Sequence, residues 1–157
     1  MTKLSFRNVP SSVPLKVLRS AGLWYAEKLM GRRLAKNLSV KVTFIKDYQK
    51  KTGCSGTCIW EDDYIRPREF VIELDASDSA EIILQNLAHE MVHVKQWARG
   101  ELKDVMKGYS LCKWKGKVFD TDKVEYYDAP WEIEAFGREY GLYIRWRNEF
   151  MGDETGE

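Results

Sequence analysis

No stretch of 18 or more apolar residues occurs in the sequence, so no helical membrane span is expected. No apolar h-region lies between Met1 and Val13, so no secretory signal is expected either, and an internal, cytoplasmic location follows as the default. Cysteine is scarce and odd in number: Cys54, Cys58 and Cys112. That count argues against a disulfide framework and for free thiols in a reducing compartment. A structural zinc site usually takes four Cys or His ligands. Histidine is scarcer still, with His89 and His93 alone in 157 residues. Internal repeats and low-complexity segments are absent.

What is present suits a single globular domain. Apolar residues make up 44% of the chain and charged residues 31%, and the length suffices for one real core. A domain over residues 1–150 is expected, followed by an acidic tail over 151–157 that is expected to be disordered. The net charge is +1, but it is unevenly spread. Residues 1–51 carry 12 Lys or Arg against Glu27 and Asp47, a balance of +10, and the remainder balances it at −9. Such asymmetry can mark a nucleic-acid surface. Here the basic residues are spread out, so mutual neutralisation within one domain is the expectation, and nucleic acid is not an expected partner.

The hydrophobic pattern predicts a long amphipathic helix from Ser11 to Leu38 and a strand from Val40 to Ile45. A polar loop over Lys46 to Gly56 precedes strands at Thr57–Trp60 and Glu69–Leu74. Asp78 with Glu81 has capping-box spacing, and a helix is predicted from about Ser79 to Trp97, stopping at Arg99-Gly100. A hairpin is expected about Lys115-Gly116, between Leu111 and Phe119. Pro130 opens a last helix that continues to about Phe150. The fold class expected is α+β, with helices packed on one small, mostly antiparallel sheet.

His89-Glu90-Met91-Val92-His93 is an HExxH motif. Residues four apart project from nearly one face of a helix, so both imidazoles can converge on one ion. Glu90, one step round, can accept a proton from a metal-bound water without itself ligating the metal. The motif lies within an amphipathic helix that carries Ile83, Leu87, Met91 and Val94 on its apolar side. Both histidines of the chain fall in it, so one metal ion per chain is expected.

A catalytic zinc needs a third protein ligand. No histidine is left, so it must be an acid or a cysteine. With about 100° per residue, Glu132 falls on a stripe with Ala135, Phe136, Tyr143, Trp146 and Phe150. Glu134 falls at about 200° from it, beside Gly141 and Arg145, and is expected to face water. A carboxylate on a buried stripe requires a partner, and a cation supplies one. Glu139 also faces inward. It is the rival ligand, or else a group that hydrogen-bonds a ligand histidine.

With these residues the chain resembles the gluzincins, HExxH peptidases whose third ligand is a glutamate on a following helix. Glu132-Ile133-Glu134-Ala135 matches the ExxA context of that ligand, although Phe136 stands where Asp or Asn often follows. The small size resembles the minigluzincins and small metallopeptidases encoded in phage genomes, for which the compartment would be the host cytoplasm. The resemblance covers roughly residues 68–150. It implies a zincin-like fold, a zinc ion on His89, His93 and Glu132, Glu90 as general base, and a peptide or protein substrate. An extended substrate is expected to pair with an edge strand near Glu69 to Leu74. Tyr126 or Tyr127 is a candidate donor to the oxyanion, with aromatic packing as its plainer role. Two other functions fit the motif. One is a deformylase-like zinc hydrolase with a cysteine ligand, for which Cys54 or Cys58 would serve, although the flanking sequence of that family is absent. The other is a non-catalytic zinc-binding interaction module, for which the intact Glu90 would have no use.

Overall fold

The computed structural model describes residues 1–62, 65–105 and 110–152. The expected disordered tail falls on residues 153–157, outside the described residues, apart from Met151 and Gly152. Strand β1 (Lys3–Arg7) leads through helix α1 (Leu15–Ala35) to β2 (Ser39–Ile45). A short helix α2 (Tyr48–Thr52) lies within the stretch expected as a loop, and β3 (Gly56–Trp60), β4 (Glu69–Asp75) and the long helix α3 (Ala80–Ala98) follow. Three short strands, β5 (Leu102–Asp104), β6 (Leu111–Trp114) and β7 (Lys117–Asp120), precede a 3₁₀ turn at Tyr126–Asp128 and helix α4 (Pro130–Phe150). The α+β class is as expected. No helix among the described residues is long and apolar enough to cross a membrane.

The sheet differs from expectation. Two sheets form, a four-stranded one in the order β1-β2-β4-β3 and a three-stranded one in the order β5-β6-β7. In the larger sheet β1, β2 and β4 run parallel, and only β3 is antiparallel. The reason is β1, a five-residue strand too short to stand out in sequence. Joined to β2 through α1 it makes a β-α-β crossover, the connection that parallel neighbours require. The smaller sheet is antiparallel, as the hairpin reading implies. Lys115 and Gly116 both take positive φ, 48° and 87°, as a two-residue hairpin turn demands.

One face of the large sheet is apolar. Val40, Val42 and Phe44 of β2 and Phe70, Ile72 and Leu74 of β4 alternate inward and are buried. Helices α1 and α3 cover that face, and α4 packs against both. Side-chain hydrogen bonds fasten the layers: Tyr25 donates to the Leu84 carbonyl (3.0 Å), Trp146 to Ser20 (3.1 Å) and Trp24 to Glu149 (2.7 Å). The start of α3 is capped by Ser79, whose hydroxyl accepts from the Ile82 amide, and not by Asp78, which accepts from Asn86. The reach to the third residue of the helix falls to Ser79 because the helix begins one residue later than the capping-box reading places it.

Helix α4 begins at Pro130, as the sequence indicates, and its buried residues include Glu132, Ala135, Tyr143 and Trp146. Phe136 and Phe150 are exposed, although the wheel places both on the stripe. Phe136 lines an open cleft, and Phe150 lies in the last turn. Trp131 packs against Trp114 and Phe119 of the hairpin, with ring centroids 6.4 and 5.8 Å apart. The small sheet thereby holds the first turn of α4, and hence Glu132, against α3.

Candidate metal centre

His89 and His93 project from the middle of α3, the most deeply buried helix of the fold, and Glu132 approaches them from the first turn of α4. The Glu132 carboxylate bridges the rings: Oε1 lies 3.0 Å from His93 Nε2, and Oε2 lies 3.3 Å from His89 Nε2. All three side chains are buried. One ligand atom from each falls within 4.8 Å of the other two, and this is the only such His, Cys, Asp or Glu group among the described residues. Neither Cys54 nor Cys58 joins it.

The group fits a metal on two grounds. Two atoms bound at about 2.1 Å to one tetrahedral ion stand roughly 3.4 Å apart, close to the separations seen here. The Glu132 Oε2 atom is also fully buried and makes no hydrogen bond. An orphaned buried carboxylate oxygen aimed at an imidazole nitrogen is a costly arrangement that a cation relieves. Without a cation the three groups share protons. Burial opposes charge on Glu132, yet the two imidazoles hold it down to about 2. Burial likewise opposes charge on His89, but Glu132 and Glu139 lift it to about 10.

Each histidine is oriented from behind. His89 Nδ1 lies 3.2 Å from Glu139 Oε2, and Glu139 stands outside the group that could hold an ion. His93 Nδ1 lies 2.8 Å from Gln96 Oε1. The Gln96 amide nitrogen donates to the Trp131 carbonyl (2.9 Å) and to Glu134 Oε1 (3.0 Å). Both of those partners only accept, so the amide cannot be flipped, and its oxygen must face His93. His93 Nδ1 therefore carries a proton, and Nε2 is left to face Glu132 and the ion site, as a donor to the carboxylate without a cation and as a lone pair towards a bound one.

Glu134 does not face water, contrary to the helix-wheel expectation. Its carboxylate lies 2.7 Å from the buried Lys95 ammonium, which also meets Glu101 at 2.9 Å, and 3.1 Å from Arg138. The long side chain bends from the flank of α4 towards α3, and a wheel records only the direction of Cβ. Gln96 was legible in principle, three residues after His93 and so on the same face, but the motif gave no reason to look beyond His93. Replacing Gln96 with alanine is expected to weaken metal affinity roughly 10- to 100-fold. Glu134→Ala should weaken it less, while costing about 1–3 kcal/mol of stability through the loss of a buried acceptor. Chelator competition and denaturant titration of the same variants separate the two effects.

Glu90 is buried beside the group and makes no side-chain hydrogen bond or ion pair among the described residues. Burial pushes its carboxyl up to about 7, although His93 and His89 pull it back. It lines a cleft of about 400 Å³ with His89, Glu139, Tyr126, Tyr127, Phe136 and the Gly53–Gly56 segment. Gly56 makes the close approach possible. A Cβ there would come within 3.0 Å of Glu90 Oε1 and 2.9 Å of Leu74 Cδ2. A larger groove of about 620 Å³ between α1 and α4, lined by Trp24, Lys28 and Glu149, holds none of these groups.

The strand bordering the cleft is β3. Strand β4 is paired on both sides, with β2 and β3, so the expected edge at Glu69–Leu74 is an interior strand. Alternation of side chains cannot reveal strand order, which is why the sequence misplaced the edge. Burial, and then the nearby Glu132 carboxylate, hold the Tyr126 phenol protonated. Tyr127 is more exposed. Cys58, on β3, is likewise held as a thiol, by burial and by Glu90. Comparison of the chain with protein-family models, with curated proteins and with solved structures gave no match.

Proposed function

We propose that this protein is a zinc-dependent hydrolase that cleaves peptide bonds, a gluzincin-like metallopeptidase with a zincin-like fold. The observation that carries the reading is the buried His89, His93 and Glu132 group beside an unpaired glutamate, Glu90, at the floor of an open cleft. Two imidazoles and one carboxylate are the donor set of a catalytic zinc, with a position left for a small molecule. A bound zinc ion would acidify a water molecule and polarise the substrate carbonyl.

The remaining work falls to the chain. Glu90, poised near neutrality, accepts the proton of the attacking water and later delivers it to the leaving amine. Gly56 lets β3 approach that carboxylate closely, since a side chain there would crowd it. The Tyr126 hydroxyl, kept protonated, is a donor for the negative charge that develops on the carbonyl oxygen. The free edge of β3 offers backbone groups for pairing an extended peptide along the cleft.

The test is hydrolysis of an unfolded protein substrate by the full chain. Cleavage is expected with zinc, is expected to stop with a chelator, and is expected to return on zinc readdition. Metal-loaded protein that cleaves no peptide or unfolded protein would overturn the peptidase reading.

A further inference from the structure

Three aromatic rings stand together at the mouth of the cleft. Tyr126 is 50% exposed, Tyr127 68% and Phe136 41%, far more than rings placed for packing alone. Their centroids are close: 5.0 Å between the tyrosines, 6.2 Å from Tyr126 to Phe136 and 5.6 Å from Tyr127 to Phe136. Tyr126 stands at 81° to Tyr127 and 86° to Phe136. The rings therefore form a corner and leave faces open, whereas stacked rings would hide them. Phe136 also packs against His89, with centroids 4.6 Å apart, so the corner adjoins the metal group directly. Grouped apolar surface of this kind, left in water beside a reactive centre, marks a binding surface.

The charge of the same cleft has one sign. Glu90 and Glu139 line it, and no lysine or arginine does among the described residues. A divalent cation on His89, His93 and Glu132 would offset the charges of Glu132 and Glu90. Glu139 would remain uncompensated. It uses Oε2 towards His89, and its Oε1 has no hydrogen-bond partner among the described residues.

We infer that the corner of Tyr126, Tyr127 and Phe136, with Glu139 behind it, is a specificity subsite for a lysine or arginine side chain next to the scissile bond. This rests on the hydrolase reading above and names the substrate class for it. A long cationic side chain meets both parts of the subsite. Its aliphatic stem covers the rings, and its charged tip lies over their negative faces and towards the carboxylate. A leucine side chain would use the rings only, and a glutamate side chain would meet Glu139 as a like charge. A cation held on aromatic faces is worth roughly 2- to 30-fold in affinity.

The experiment measures binding, so that it does not depend on turnover. Zinc-loaded full chain is titrated calorimetrically with four hydroxamates: those of lysine, leucine and glutamate, and acetohydroxamate, which has no side chain. Lysine hydroxamate is expected to bind at least tenfold more tightly than glutamate hydroxamate and several-fold more tightly than leucine hydroxamate. Both preferences should shrink in Tyr127→Ala and in Phe136→Leu, each compared with its own acetohydroxamate affinity. If acetohydroxamate binds and the lysine and glutamate compounds agree within twofold, the subsite is wrong while the metal reading stands. Leucine hydroxamate binding tightest would make the corner an apolar subsite and overturn the cationic assignment. If no hydroxamate binds zinc-loaded protein, the hydrolase reading and the subsite fall together.

Discussion

Glu90→Gln is expected to lose roughly 10²- to 10⁴-fold in hydrolysis rate while keeping the metal, because general-base assistance of this kind has that magnitude. Glutamine is nearly isosteric, so it fits the space between α3 and Gly56 that the carboxylate fills. What it loses is the ability to accept a proton. The native carboxyl has no competing partner among the described residues and sits near neutrality, which suits proton transfer in both directions. Turnover at saturating metal, measured beside the metal content of the same sample, checks this. Wild-type turnover would remove Glu90 from the mechanism.

The same substitution carries a stability prediction of opposite sign. Burial raises the folded-state pKa of Glu90 from 4.5 to about 7. An acid raised in this way binds its proton more tightly in the fold than in the unfolded chain. Its contribution to stability is therefore lost as pH rises from about 4.5 to about 7, and above that the buried charge opposes folding. Metal-free Glu90→Gln should consequently melt higher than metal-free wild type at pH 8, with the difference vanishing near pH 4. An active site that is less stable than its inert variant is what a base held in a poorly solvated position implies.

Glu132→Ala is expected to strip the metal, weakening its affinity by well over about 100-fold, more than any supporting residue should. The carboxylate is the third donor, and it approaches both histidines at once, at 3.0 and 3.3 Å. No other Asp, Glu or Cys joins the group among the described residues, so no substitute is at hand. Glu139→Gln is expected to fall short of this, at about 10- to 100-fold, because glutamine can still accept the His89 proton but without charge. Competition with a chromophoric chelator ranks the variants. If Glu139→Gln lost the metal while Glu132→Ala retained it, the ligand assignment would be reversed.

How much of this was legible in the sequence depends on the range of the interaction that decides each feature. The apolar periodicity of residues 80–98 and the Pro130 start of the last helix are local, and both helices appear where they were expected. The two histidines four apart on one helix are also local, and their convergence follows from the 3.6-residue turn. Glu132 was separable from Glu134 because a helix wheel predicts Cβ directions, and the bare side of that argument held: Glu132 is buried against the histidines. The wheel failed for the longer reach of Glu134, and for Phe136, which lies on the predicted stripe yet meets an open cleft. Tertiary context decides what a given face meets.

The sequence by itself determined the long pieces: the helices that carry the two histidines and Glu132, and the burial of Glu132 on its helix. Only the tertiary structure decided that β3 and not β4 borders the cleft as an edge, because β4 pairs with β2 on one side and β3 on the other, and side-chain alternation does not encode that order. It alone showed that Gln96, beside His93, is locked by Trp131 and Glu134, since those two lie 35 and 38 residues further along the chain. It alone brought Tyr126, Tyr127 and Phe136 into one corner beside His89. Periodicity is a property of the backbone over a few turns, whereas a cleft is made where separate elements fail to close upon one another.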